Sequence, residues 1–169
     1  MNPVVVASQL TSTPAGVRAM LTGLPDDIAR WKPAANKWSL LEVLCHMADE
    51  ERQDFRLRLR LVLESSEAPW PDIDPASWPA QRGYNTREVN ASLIDFERER
   101  AESLKWLGGL RHVRWDAVHH HPKLGSLAAG DILAAWVAHD LLHLRQMVNL
   151  RLAALELGAP PYSTRYATA

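Results

Sequence analysis

Four stretches of this chain repeat their apolar residues every three or four positions, the spacing that lines one face of an α-helix. The first, residues 4–24, carries Leu10, Val17, Met20, Leu21 and Leu24. Thr13-Pro14 interrupts it, because proline lacks an N–H and crowds the preceding turn, so the pattern predicts a kink or a fresh start with Thr13 as N-cap. The second begins at Ser39-Leu40-Leu41-Glu42, a capping box, with Trp38 placed to staple onto Val43, and runs to about residue 64. The third, residues 85–107, turns Val89, Leu93, Phe96, Arg100, Leu104 and Leu107 inward and stops at Gly108-Gly109. The fourth starts between residues 126 and 131, continues to Leu157 and is closed by Gly158 and Pro160-Pro161.

Between the second and third stretches, Pro69, Pro71, Pro75 and Pro79 exclude a regular helix, which predicts a long connection. A second loop, residues 111–125, contains Trp115 and His119-His120-His121-Pro122. No segment reads as a convincing strand, so the expected fold class is an all-α bundle of four helices, one domain spanning residues 1–169.

Charge narrows the partners. The 19 basic and 20 acidic side chains are interspersed, with no basic block to track phosphates, which excludes nucleic acid as an expected partner. No run is long enough to span a membrane, and residues 4–7 are too short an apolar run for a signal peptide, so a cytoplasmic protein is expected. A single cysteine, Cys45, allows no internal disulfide. Seven tryptophans beside the Pro-rich connection suggest more apolar surface than one bundle core absorbs, and point to a homodimer.

The candidate chemistry lies in the histidines. His139 and His143 stand at i and i+4 on the stripe Ile132, Ala135, Trp136, Met147 and Leu150, so both rings point where the apolar side chains point. Two stacked imidazoles on such a face need polar partners that an apolar core does not supply, and a divalent metal ion meets that need. His46, on the well-capped second helix with Val43, Glu50 and Leu57, is the expected third ligand. Three imidazoles leave a fourth position open, as in catalytic zinc sites. Zinc, nickel, iron and copper all suit them, with zinc or nickel expected. His119, His120 and His121 diverge along a loop, and are read as solvated. Asp140 replaces the glutamate a zincin needs after its first histidine, and no Glu-x-x-His occurs, which disfavours a metalloprotease and a di-iron bundle.

Other side chains frame this site. Glu50, one turn beyond His46, is expected either to act on a proton there or to pair with a nearby arginine. Arg100 is a cation on an apolar stripe, and either pairs with a carboxylate such as Glu50, binds an anionic substrate group, or reaches out to solvent. Cys45 points about 100° away from His46 and reads as a core residue. Tyr84 reads as a surface residue, and Trp31, Trp38 and Trp136 as core packing.

With those residues in view, Trp31-Lys32-Pro33, Lys37-Trp38-Ser39, Glu42 to His46 and Glu50-Glu51 resemble the first motif of the DinB/YfiT-like superfamily. The segment His139-Asp140-Leu141-Leu142-His143-Leu144-Arg145-Gln146 resembles its second. The resemblance covers about residues 8–157 and implies an up-down-down-up four-helix bundle with a three-histidine metal site. One departure is Ala128, where relatives often place a threonine to cap the last helix. The resemblance also implies an activity class, since members include thiol-dependent S-transferases, a thiol-dependent isomerase and proteins regarded as metal-dependent hydrolases. Three functions follow as alternatives: a transferase using a low-molecular-weight thiol cosubstrate on a small electrophile, a metal-dependent hydrolase of a small-molecule substrate, and a non-catalytic bundle stabilised by its metal. The resemblance favours the first.

Overall fold

The computed structural model describes residues 2–65 and 67–168. The first bundle helix is split into α1 (Pro3–Gln9) and α2 (Thr13–Leu21). Ser12 precedes the restart, so Thr13 is not the N-cap; its hydroxyl instead donates to the buried Asp140 carboxylate at 2.6 Å. A short α3 (Asp26–Arg30), which the periodicity does not predict, leads to the second bundle helix, α4 (Leu40–Glu50) continued by α5 (Arg56–Glu64). Its capping box forms as expected, with Ser39 Oγ accepting from the Glu42 N–H and Glu42 Oε2 accepting from the Ser39 N–H, an arrangement that stabilises by about 1 kcal/mol.

Between α4 and α5, residues Glu51–Phe55 form a π-turn in which the Arg56 N–H reaches the Glu51 carbonyl. The extra residue rotates everything beyond it. Leu57, expected on the inner stripe, is only half-buried, while Leu59 and Val62 enter the core. The same turn buries two successive acids, Glu50 and Glu51, facing different neighbours.

After α6 (Trp78–Gln81), the third and fourth bundle helices are α7 (Val89–Gly109) and α8 (Ala129–Gly158), followed by α9 (Arg165–Thr168). Residue pairs give the directions. Cys45 meets Ser92 and Arg56 meets Ser103, so the second helix runs parallel to α7. Thr13 meets Asp140 and the Ala19 carbonyl meets Arg151, so the first runs parallel to α8. His46 meets His139 and Phe55 meets Trp136, so the second and fourth are antiparallel. This is the up-down-down-up order. Two parallel neighbours force the intervening chain to travel back the length of a helix, about 37 Å for 25 residues, which explains the long Pro-rich connection.

Three further details depart from the sequence reading. Residues 111–125 are not all loop: β1 (Val118–His121) pairs antiparallel with β2 (Gly125–Ala128). Ala135 is exposed although its neighbours Ile132 and Trp136 are buried. Tyr84 is fully buried, its hydroxyl donating to Asp49 at 2.5 Å, because burying a phenol requires an acceptor. Two apolar clusters fill the bundle, one around Leu44, Phe96 and Met147 and one around Leu10, Leu59 and Trp136.

Candidate metal centre

His46 sits at the middle of α4, and His139 and His143 one turn apart on α8, so two antiparallel helices bring all three rings together. His139 Nε2 lies 3.2 Å from His46 Nε2 and 3.0 Å from His143 Nε2. Two nitrogens bonded to one tetrahedral zinc at ~2.05 Å stand about 3.3 Å apart, so these spacings fit a shared ion. Among the described residues, this is the group of histidines, cysteines or acids whose geometry could hold a metal.

The protonation chemistry fits as well. Burial, reinforced by the neighbouring His143, lowers the His46 imidazole to about 3. Burial and the other two rings push His139 down, and burial also lowers His143. The three rings are therefore neutral at pH 7, as metal ligation requires. Gln146 Oε1 can only accept, so the His143 Nδ1–H donates to it at 2.8 Å and the lone pair of His143 stays on Nε2, facing the cluster. One proton on His139 Nε2 can satisfy only one of its two neighbours; a cation satisfies all three.

Aromatic rings hold the cluster in place. Trp38 lies 4.7 Å from the His46 ring and stacks parallel to His143 at 6.3 Å. Phe55 sits 5.0 Å from His139 and stacks on Trp136. Trp78, from the long connection, reaches His46 at 6.3 Å, and the Arg82 guanidinium covers its ring at 4.0 Å. Arg82 also bonds Asp49, one turn beyond Cys45 on α4. Burial alone would raise the Asp49 carboxyl, but the bonds from Tyr84, Arg52 and Arg82 hold it below its usual range. The connection is thereby pinned to the site.

Glu50 is buried with Oε1 3.8 Å from His46 Nε2. Burial, then the adjacent Asp54, raises its carboxyl to about 9 against the opposing Arg58 charge, so without a bound metal ion it holds a proton at neutral pH. Asp54 is itself bound to Arg58 at 3.0 Å.

Arg100 does not pair with Glu50. Its Nε and Nη2 donate to Glu51, Nη1 and Nη2 to Asp140, and Nη1 also to the Leu10 carbonyl, which uses all five N–H donors. Glu51 also accepts from Ser103 Oγ and Trp136 Nε1. Burial raises the Glu51 carboxyl, opposed by the Arg100 charge. The network locks α7 and the π-turn to α8 beside His139.

Cys45 is buried, 3.5 Å from Ser92 Oγ, with its thiol pushed up by burial. His119 is buried rather than solvated, and stacks on Trp70 at 4.3 Å; His121 leans on the same ring and His120 points outward to Ser126. None of these three joins the metal-type cluster. The residues that sequence reasoning missed are Gln146, Phe55, Trp78 and Glu51. Gln146 could have been found, since it stands three residues after His143 on the same face.

The sequence profile of the DinB superfamily matches residues 9–147. No curated protein matches the sequence. Among solved structures, the chain is similar to YfiT from Bacillus subtilis, described as a probable metal-dependent hydrolase with an unusual four-helix bundle topology. The two share 17% identity with a TM-score of 0.77 over 88% of this chain and 85% of that one, a likeness of fold.

Proposed function

This chain belongs to the DinB superfamily, and from that premise we propose that it is a metal-dependent enzyme whose ion is held by His46, His139 and His143, and that it transfers a small thiol to an electrophile. The observation carrying this reading is the convergence of three neutral Nε2 atoms at 3.0 and 3.2 Å inside an aromatic frame. When bound, a divalent ion such as zinc or nickel supplies an open coordination position that acidifies a thiol or a water.

The chain's own groups divide the remaining work. Cys45 is buried on the far side of α4, so the sulfur comes from outside. Gln146 fixes the tautomer of His143. Glu50, 3.8 Å from His46, would be ionised beside the bound ion and is placed to accept the proton that the thiol gives up there and to pass it to the departing atom of the electrophile. Arg100 acts as a positioning residue, because its donors are all engaged within the protein. Hydrolysis is the second reading. It is supported by the likeness to YfiT and by the same Glu50, which near a cation would release its proton and serve as base.

Homodimerisation belongs to this proposal. Leu141, Val148, Leu152 and Leu155 are 42% to 59% exposed and recur along α8 at steps of seven, four and three residues, a coiled-coil-like seam left uncovered.

The readings separate in one experiment. In cobalt-loaded protein, a small thiol should release a proton and produce the absorption band of sulfur ligation, and His139→Ala should abolish both. Absence of the band, with ester or amide substrates cleaved in the absence of thiol, would establish hydrolysis instead.

A further inference from the structure

A cleft of about 570 Å³, lined in part by Trp38 and Gln146, lies beside the histidine cluster that both residues contact. Lys37 and Arg145 line it, together with Trp38 and the side-chain amides of Gln146 and Asn149, and no carboxylate lines it. Most arginines near the centre are committed: Arg52 to Asp49, Asp95 and Glu99, Arg56 to Glu99, Arg82 to Asp49, Arg100 to Glu51 and Asp140. Neither Lys37 nor Arg145 has a hydrogen-bond or ion-pair partner for its side chain among the described residues. Two exposed cations beside one concavity that no carboxylate lines leave a positive potential there that favours an anion. Neutral amide donors beside them supply the directional bonds that a carboxylate accepts.

The cleft is also coupled to the centre. Gln146 contributes to its wall and holds the Nδ1–H of His143 at 2.8 Å, while Trp38 also lines the cleft and stacks on His143 with the ring planes 8° apart. A ligand whose charged end rests on Arg145 and Lys37 would touch Trp38 and Gln146, the two lining residues that contact His143.

We infer that this cleft is an anion subsite, and that the small-molecule ligand of the protein carries a carboxylate that Arg145 and Lys37 bind. The inference rests on the proposed function only in directing the other end of the ligand to the metal; the subsite itself rests on the cleft.

The test uses the intact protein and succinate as probe, read by the NMR shifts of the Gln146 and Asn149 side-chain amides. Succinate should move both resonances with a Kd of about 1 mM, as two charge-assisted contacts supply. Neutral succinamide should not move them. Arg145→Gln and Lys37→Gln should each weaken the probe about tenfold and leave zinc affinity unchanged. Failure of succinate to move either amide, or shifts that persist in the double variant, would overturn the proposal. Succinate binding that depends on Arg145, in a protein that fails the cobalt–thiol test, would uphold the subsite and remove only the transferase reading.

Discussion

Gln146 offers the sharpest perturbation of the centre, because its side-chain oxygen holds the outer nitrogen of one ligand. Its Oε1 accepts the Nδ1–H of His143 at 2.8 Å, half-buried, and so keeps the Nε2 lone pair aimed at the cluster. Gln146→Leu keeps the size of the side chain and removes the acceptor. Loss of such an outer partner typically lowers metal affinity 10- to 100-fold, or about 1.4–2.7 kcal/mol. At fixed free zinc the stabilisation by bound metal shrinks by the same amount. For a chain of this length that corresponds to a zinc-induced rise in Tm smaller by roughly 3–10 °C. Gln146→Glu, which offers the same proton a carboxylate, should bind zinc at least as tightly as the parent. The assay is competition against a chromophoric chelator, with His143→Ala as the baseline and circular dichroism to show that each variant is folded. A folded Gln146→Leu protein that binds zinc as tightly as the parent would refute the assignment of His143 as an oriented ligand.

Acid should destabilise the metal-free protein in a defined window. The folded His46 value of about 3 lies below its unfolded value, so the stability is fully present above pH 6.5 and is lost as pH falls from 6.5 toward 3; His46 alone accounts for about 2 kcal/mol by pH 5, readable as a lower urea midpoint. Arg100→Met should cost about 3–5 kcal/mol, because it strands the Glu51 and Asp140 carboxylates in the core. Arg100→Lys should rescue little of that loss, since an ammonium cannot fork to both acids, and calorimetry would measure each. Light scattering should give twice the 19.0 kDa chain mass for the parent and the single chain mass for Leu152→Glu; a monomeric parent would remove the seam on α8.

Much of the centre was legible because the signals are local. Ser39 and Glu42 set the phase of α4, and therefore the direction of His46. The i, i+4 spacing of His139 and His143 on an apolar stripe needs no tertiary information. What escaped depends on contacts distant in sequence. The π-turn spans Glu51–Phe55, whose first four side chains are polar, so the apolar periodicity across it is too sparse to show the extra residue. The partner of Arg100 is Glu51 rather than Glu50 because that turn aims Glu51 at α7. His119 becomes a buried strand residue only because Trp70, from the long connection, stacks on it. Thr13 reads as a cap by local rules, yet its hydroxyl is taken by Asp140 at a separation of 127 residues.

The most direct test of the account is an anomalous-difference map from crystals of the zinc-loaded protein. The account predicts one peak per chain, with the Nε2 atoms of His46, His139 and His143 each about 2.0–2.2 Å from it, and no peak in crystals of His46→Ala grown under the same conditions. A peak coordinated by His119, His120 or His121 instead, or one that persists at full occupancy without His46, would contradict it.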